Sequence, residues 1–170
     1  MELDRILGKQ VELILQTGTF ESTLDDKGRV VIPAPIRERY TEKLIVMQGK
    51  EQCVWVMTPQ AFDHFIATFR KESIENKWSS DEIEAFEYQH VSTASQVYVD
   101  AKTGRIPIPA ILRTYACLTK DCLVVSIKGH LEIWNADLNR SFMEEVRLIN
   151  KNTHKKMQGK INFFPDEGVL

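Results

Sequence analysis

The stretch Asp25–Tyr40 reads DDKGRVVIPAPIRERY, and part of it returns between Gly104 and Tyr115 as GRIPIPAILRTY. Gly28, Arg29, Ile32, Pro33, Ala34 and Arg37 recur as Gly104, Arg105, Ile108, Pro109, Ala110 and Arg113. Identities this dense have a chance probability on the order of 10⁻⁵, but ~10⁴ window pairs are open to such a match, so identity alone does not decide. The flanks do. Each copy follows a short β-like run (TFESTL, SQVYV) and leads through a brief helical stretch into two more β-like runs, a unit of about 43 residues written twice.

Period-two alternation puts Val30 and Ile32 on one face of the first strand and Arg29 with Val31 on the other; Ile106 and Ile108 lie together opposite Arg105 and Pro107. The isoleucine and valine face is core. Pro107 has no amide for a ladder, which places its strand at an edge or leaves it open to solvent on one side. Pro33 and Pro109 close the strands, and about two turns of helix follow, with Pro35 suited to the first turn. Ile36 with Tyr40, and Leu112 with Ala116, lie four apart on one face, with Arg37 and Arg113 to its side. LIVMQ and CVWVM, then CLVVSI and HLEIWN, read as hairpins turning near Gly49 and Gly129. Each unit is ββαββ and too small to bury a core alone, so the two copies complete one barrel or sandwich between them.

The chain thus divides into an extension (1–18), a first repeat (19–61), a helical spacer (62–93), a second repeat (94–138), a helix (139–150) and a basic tail (151–170). The spacer aligns Phe62, Phe65, Ile66 and Phe69 on one helical face and Ile83, Phe86 and His90 on another, with Ser80 as a cap. Leu138, Phe142, Val146 and Ile149 line the later helix, and Lys151, Lys155, Lys156 and Lys160 mark the tail, which is expected to be mobile.

Composition narrows the function. The chain has 170 residues and a net charge near −2, so attraction to a polyanion must come from local clusters of Lys and Arg. Cys53, Cys117 and Cys122 are odd in number and have neither zinc-finger spacing nor a disulfide pattern, which fits a reducing compartment. No apolar run approaches the ~20 residues that span a bilayer, and the first ten residues carry acids at once. His64, His90, His130 and His154 form no metal-ligand spacing and sit beside no nucleophile pattern, and no glycine run has a phosphate-cradling form. Asp25 is better explained as an Asx-turn partner for its own backbone than as a general acid. An enzyme, a cofactor and a metal are therefore not expected.

The positive signal is at the hairpin tips. Gly28 can adopt the positive φ that a tight bulged turn requires, which holds Lys27 and Arg29 on a short rigid loop; Lys102 and Arg105 flank Gly104 in the same way. A phosphate backbone needs cations at fixed spacing, and a base edge needs the planar fork of an arginine. Lys-Gly is also ordinary hairpin chemistry, and one such tip could simply solvate a strand end. The recurrence of Gly-Arg and of the helical arginine favours binding.

With these residues in view the chain closely resembles the MraZ family of bacterial transcriptional regulators, built from two SpoVT-AbrB type repeats. The resemblance rests on LDDKGRVVIP…R, a second D…GR…IP…LR, the spacer, ASQVYVD and the Ile133–Trp134 pair, and it runs from about Thr19 to the helix after Leu138. It implies an α+β fold with swapped-hairpin barrels, a ring-shaped homo-oligomer, and binding to repeated double-stranded DNA boxes before a division and cell wall gene cluster that includes the regulator's own gene. It also implies a cytoplasmic, nucleoid-associated location. By the same resemblance Lys27, Gly28, Arg29, Lys102, Gly104 and Arg105 face DNA, and Arg37 and Arg113 occupy the position of a contributing helical arginine. The second loop, DAKTGR, is one residue longer than the family's DxxGR. The family's start, a Met three residues before a Gly, aligns with Leu15 before Gly18, so the native product is expected to begin there from a leucine codon. The alternative is a protein-interaction barrel of the same superfamily, antitoxin-like or an adaptor, whose rim arginines meet an acidic partner; a self-processing enzyme of related shape would need a Gly-Ser pair, which the sequence lacks.

Overall fold

The computed structural model describes residues 17–157, which fall into two compact units, one ending at Ala136 and the other beginning at Asp137. The expected start at Leu15, most of the extension and the end of the tail lie outside the described residues.

The first copy supplies β1 (Gly18–Thr23), β2 (Arg29–Val31), the 3₁₀ helix α1 (Ala34–Arg39), β3 (Lys43–Gln48) and β4 (Val54–Met57). The spacer forms α2 (Pro59–Glu75) and α3 (Ser80–Phe86), the latter running into a π turn over Glu87–Val91. The second copy supplies β5 (Ser95–Tyr98), β6 (Arg105–Pro107), α4 (Ala110–Tyr115), β7 (Asp121–Ile127) and β8 (His130–Asn135). The ββαββ reading holds in both.

The copies do not fold side by side. They interleave in an antiparallel sheet of order β1-β7-β8-β4-β3-β5, beside a two-stranded ribbon of β2 and β6. β1 of the first copy pairs with β7 of the second, and β5 of the second pairs with β3 of the first. β4 lies on β8, and in the ribbon Val30 is in register with its own counterpart Ile106. An approximate two-fold axis therefore runs between Val30 and Ile106. The hairpin exchange matches expectation, but closure does not: the six-stranded sheet ends at β1 and β5 and is not a barrel. The ribbon that would bridge those edges is three residues per strand, because Pro33, Pro107 and Pro109 remove the amides a longer ladder would use.

Side chains from equivalent positions fill the space between ribbon and sheet. Val30 and Ile106 are fully buried, and Ile32, Ile108, Ile36, Leu112, Tyr40 and Ala116 are buried around them. Each fully buried aliphatic side chain contributes about 1.5–3 kcal/mol, so the repeated IP motif anchors the fold from both halves. In the spacer Phe69 and His90 are buried while Phe62, Phe65, Ile66, Ile83 and Phe86 are half-buried. The cap of α3 is Ser79 rather than Ser80: its hydroxyl accepts from the Glu82 amide at 3.2 Å, and the Glu82 carboxylate accepts the Ser79 amide at 2.7 Å. Starting one residue earlier puts Glu82 at the third helical position, where this reciprocal box closes.

In the second unit α5 (Ala136–Met157) carries Leu138, Phe142 and Val146 half-buried along one face, while Ile149 is exposed. The helix continues past Asn150, so Lys151, Lys155 and Lys156 lie on it instead of on an irregular tail. No helix of the described residues is long and apolar enough to cross a membrane.

Candidate nucleic-acid interface

The first tip is organised by one carboxylate. Gly28 takes φ +73°, which closes the turn between β1 and β2 with its amide on the Asp25 carbonyl at 2.9 Å. Asp25 Oδ1 accepts the amides of Lys27 and Arg29 at 3.0 and 2.9 Å, the Asx role read from the sequence. Its Oδ2 accepts Arg29 Nε at 2.9 Å and lies 2.8 Å from Arg29 Nη2. Partial burial pushes the Asp25 pKa up, but the Arg29 amide, guanidinium and charge, with the Lys27 amide, outweigh it and hold the group below the usual carboxylate range.

The second tip repeats the turn with a different grip. Gly104 takes φ +66°, and Asp100 Oδ1 accepts the amides of Lys102 and Thr103 at 3.0 and 2.8 Å. The Thr103 amide is the main reason the Asp100 carboxyl is also lowered. Arg105 makes no ion pair with Asp100. It turns instead toward the other tip, its Nε 3.6 Å from Asp25 Oδ2. The extra residue at Thr103 takes the amide position on the carboxylate that Arg29 holds in the first copy, which leaves Arg105 to the carboxylate across the ribbon.

The antiparallel pairing of β2 with β6 sets the tips at the two ends of the ribbon, Gly104 beside Ile32 and Gly28 beside Ile108, with the Ile32 amide on the Gly104 carbonyl at 2.8 Å and the Ile108 amide on the Gly28 carbonyl at 2.9 Å. The helical arginines cross in the same sense. Arg113, on α4 of the second copy, lies over Gly28 of the first so closely that a Cβ added there would sit 2.7 Å from its guanidinium carbon. Arg37 lies over Gly104, where an added Cβ would collide with its guanidinium, and its Nε and Nη2 donate to the Ile32 carbonyl at 3.1 and 2.9 Å. Arg113 Nε is buried with no hydrogen-bond partner.

The structure therefore places Lys27, Gly28 and Arg29 at one end of the ribbon and Lys102, Gly104 and Arg105 at the other, with the side chains of Arg29 and Arg105 both reaching Asp25 on the face opposite the buried Val30 and Ile106. Lys27 and Lys102 are exposed, Arg29 and Arg105 about one-third exposed. Arg37 and Arg113 are half-buried against the glycines of the opposite copy. Both glycines are buried, which is why neither tip tolerates a side chain. What the sequence did not reveal is the reach of Asp25 to Arg105, because the two residues share no local motif and meet only through the ribbon.

A second unforeseen feature lies away from the tips. Trp55, Phe65, Phe69, Trp78 and Phe86 line a cleft of about 700 Å³ between the spacer helices and the sheet. His90 stacks on Trp55 at 5.2 Å between ring centres, and its Nδ1 is 2.9 Å from the Gln48 carbonyl. The helical periodicity put Phe65, Phe69, Phe86 and His90 on shared helix faces but singled out neither Trp55 nor Trp78 and carried no sign of a gap between them.

Comparison with known proteins decides the family. The family model described as "MraZ protein, putative antitoxin-like" matches residues 15–81 and 91–160, one match for each repeat. The chain belongs to the MraZ family. Among its curated relatives, the transcriptional regulator MraZ of Kineococcus radiotolerans is 35% identical over 76% of this chain and 87% of the relative. The transcriptional regulators MraZ of Kocuria rhizophila and Symbiobacterium thermophilum are 33% and 34% identical, covering 82% and 76% of this chain and 94% and 90% of their own lengths. Membership accounts for the doubled architecture, and relatives named as transcriptional regulators speak for a non-enzymatic role.

Proposed function

We propose that this MraZ family member is a sequence-specific DNA-binding transcriptional regulator that grips double-stranded DNA with its two glycine tips. The observation that carries the reading is that Arg29 and Arg105, from tips at opposite ends of one short ribbon, are gathered around one carboxylate. Two guanidiniums fixed on a rigid ribbon suit a groove in which register is set by phosphate contacts and sequence by base edges. Lys27 and Lys102 supply phosphate contacts. Arg37 and Arg113 act from beneath by holding the loops in shape. The net charge of −2 is then no obstacle, because a homo-oligomeric ring repeats a weak basic tip at each engaged subunit and multiplies its effect.

The targets in this reading are repeated boxes upstream of the regulator's own gene, at the head of a division and cell wall cluster, and the protein is cytoplasmic and nucleoid-associated. The test is a titration of labelled duplex from that upstream region against a scrambled duplex, with sedimentation of the protein alone. Preferential binding by a multimer is expected. A protein that sediments as a monomer at micromolar concentration, or that binds both duplexes equally, would overturn the reading.

One observation favours a second reading. The arginine pair already engages a carboxylate at ion-pair distance, which is how it would hold an acidic segment of a protein partner in an antitoxin-like or adaptor role. Loss of DNA selectivity with retention of an acidic-peptide complex would favour it.

A further inference from the structure

Asp25 is an acid in the middle of a basic tip, and by simple charge it should weaken contact with DNA. Its geometry points the other way. A guanidinium has five N–H donors, and Asp25 Oδ2 occupies the Nε edge of Arg29 through contacts at 2.9 and 2.8 Å. That leaves the Nη1 side and the outer Nη2 hydrogen free, the fork that matches the O6 and N7 acceptors of guanine. The same oxygen stands 3.6 Å from Arg105 Nε. The equivalent carboxylate, Asp100, is held by the Lys102 and Thr103 amides and the Thr103 side chain, and among the described residues it makes no ion pair with either arginine, although the Arg29 charge reaches it. The two loops, which already differ by the extra residue at Thr103, thus differ in what their carboxylates hold: the first pairs with both arginines and the second with neither.

We infer that Asp25 is a specificity-determining positioning residue that aims the guanidinium forks of Arg29 and Arg105 at base edges, so that it lowers affinity for DNA in general and raises selectivity for the operator. The inference rests on the DNA-binding reading above and adds to it a residue that touches no base. It also makes the tips unequal: the first is the reader's pivot, and the second lends its arginine.

The decisive variant is Asp25→Asn in the full-length protein. Asparagine keeps an oxygen for the Lys27 and Arg29 amides, so the turn survives, but it puts an NH₂ donor where Arg29 needs an acceptor. Fluorescence-labelled duplex from upstream of the coding sequence and a scrambled duplex of the same composition are titrated with wild type, Asp25→Asn and Asp100→Asn, and each protein is melted. Asp25→Asn is expected to bind the scrambled duplex more tightly and to lose about 5- to 100-fold of its operator preference, the discrimination one bidentate guanidinium–base contact supplies. Asp100→Asn removes the same charge and should tighten both duplexes in parallel, keeping the ratio. Arg29→Lys, which keeps the charge and loses the fork, should lose the ratio as well and provides the test should Asp25→Asn melt at low temperature.

A ratio unchanged in Asp25→Asn, or unchanged in Arg29→Lys, overturns the inference while leaving DNA binding in place. Equal losses in Asp25→Asn and Asp100→Asn reduce Asp25 to a charge effect and overturn it too. Wild type that fails to prefer the upstream duplex removes the DNA-binding reading and this inference together.

Discussion

Arg29 separates stability from binding more cleanly than any other residue at the tips. It projects from the ribbon face opposite the buried Val30, so Arg29→Ala should alter stability by only about ±0.5 kcal/mol, as at ordinary surface positions. Thermal melting checks that. Operator affinity should fall in the same protein, by about 1–3 kcal/mol at one base pair if the side chain reads a guanine, or for all sequences alike if it touches phosphate. The glycines behave in the opposite way. Gly28→Ala puts a side chain at φ +73° and into the Arg113 guanidinium, so it should cost about 1–2 kcal/mol from backbone strain alone, read as a lower urea midpoint. Both glycines were legible in the sequence because positive φ is a local demand. Arg37 and Arg113 were marked by the repeat as well, but their seat over the opposite glycine was not, since Arg113 reaches Gly28 only after the two copies have crossed.

At the level of loops and helices, the tips contribute to the acid side of the pH profile alongside Glu82 and Glu132, whose carboxyls, against burial in the case of Glu132, are also held below the usual range by their hydrogen bonds. Asp25 and Asp100 both have folded-state pKa values below their ordinary 3.8. Their contribution is therefore fully present above that value and is lost as pH falls through the lower folded values. Urea midpoints measured from pH 7 down to pH 2 should drop mainly below about pH 4, and the drop should be shallower in Asp25→Asn. The spacer offers a separate test: Ser79→Ala opens the capping box at the start of α3 and should cost about 1 kcal/mol, measured by denaturant titration. The sequence predicted that cap one residue late, because Ser79 and Ser80 are chemically equal and only the reach of Glu82 distinguishes them. Strands and hairpins were readable throughout, since alternation and Gly turns are local signals; the failure of the barrel to close was not, because it depends on how short the proline-rich ribbon is.

For the molecule as a whole, interleaving makes the unit ending at Ala136 one cooperative body. Every strand of the first repeat pairs with a strand of the second: β1 with β7, β2 with β6, β3 with β5 and β4 with β8. A fragment of residues 17–93 should therefore remain unfolded, whereas the full chain should give coincident unfolding transitions by circular dichroism and Trp fluorescence for this unit. Two separate transitions would mean that each repeat stands alone. The repeat itself was plain in the sequence; its partner choice was not, because a hairpin paired within its copy or across to the other presents the same alternation of residues.

The exchange of β1 onto β7 also fixes when folding can begin during synthesis. β1 is complete at Thr23, but the strand that pairs with it ends at Ile127. At ~5–20 residues per second a ribosome needs roughly 5–20 s to make the intervening stretch. For that interval the nascent first repeat has strand edges with no mate on its own chain, and neighbouring nascent chains on one message carry the missing mate. The bond pattern that joins the two halves of one chain is equally available between two chains, so crowding on the polysome decides whether the first pairing is made at home or with a neighbour.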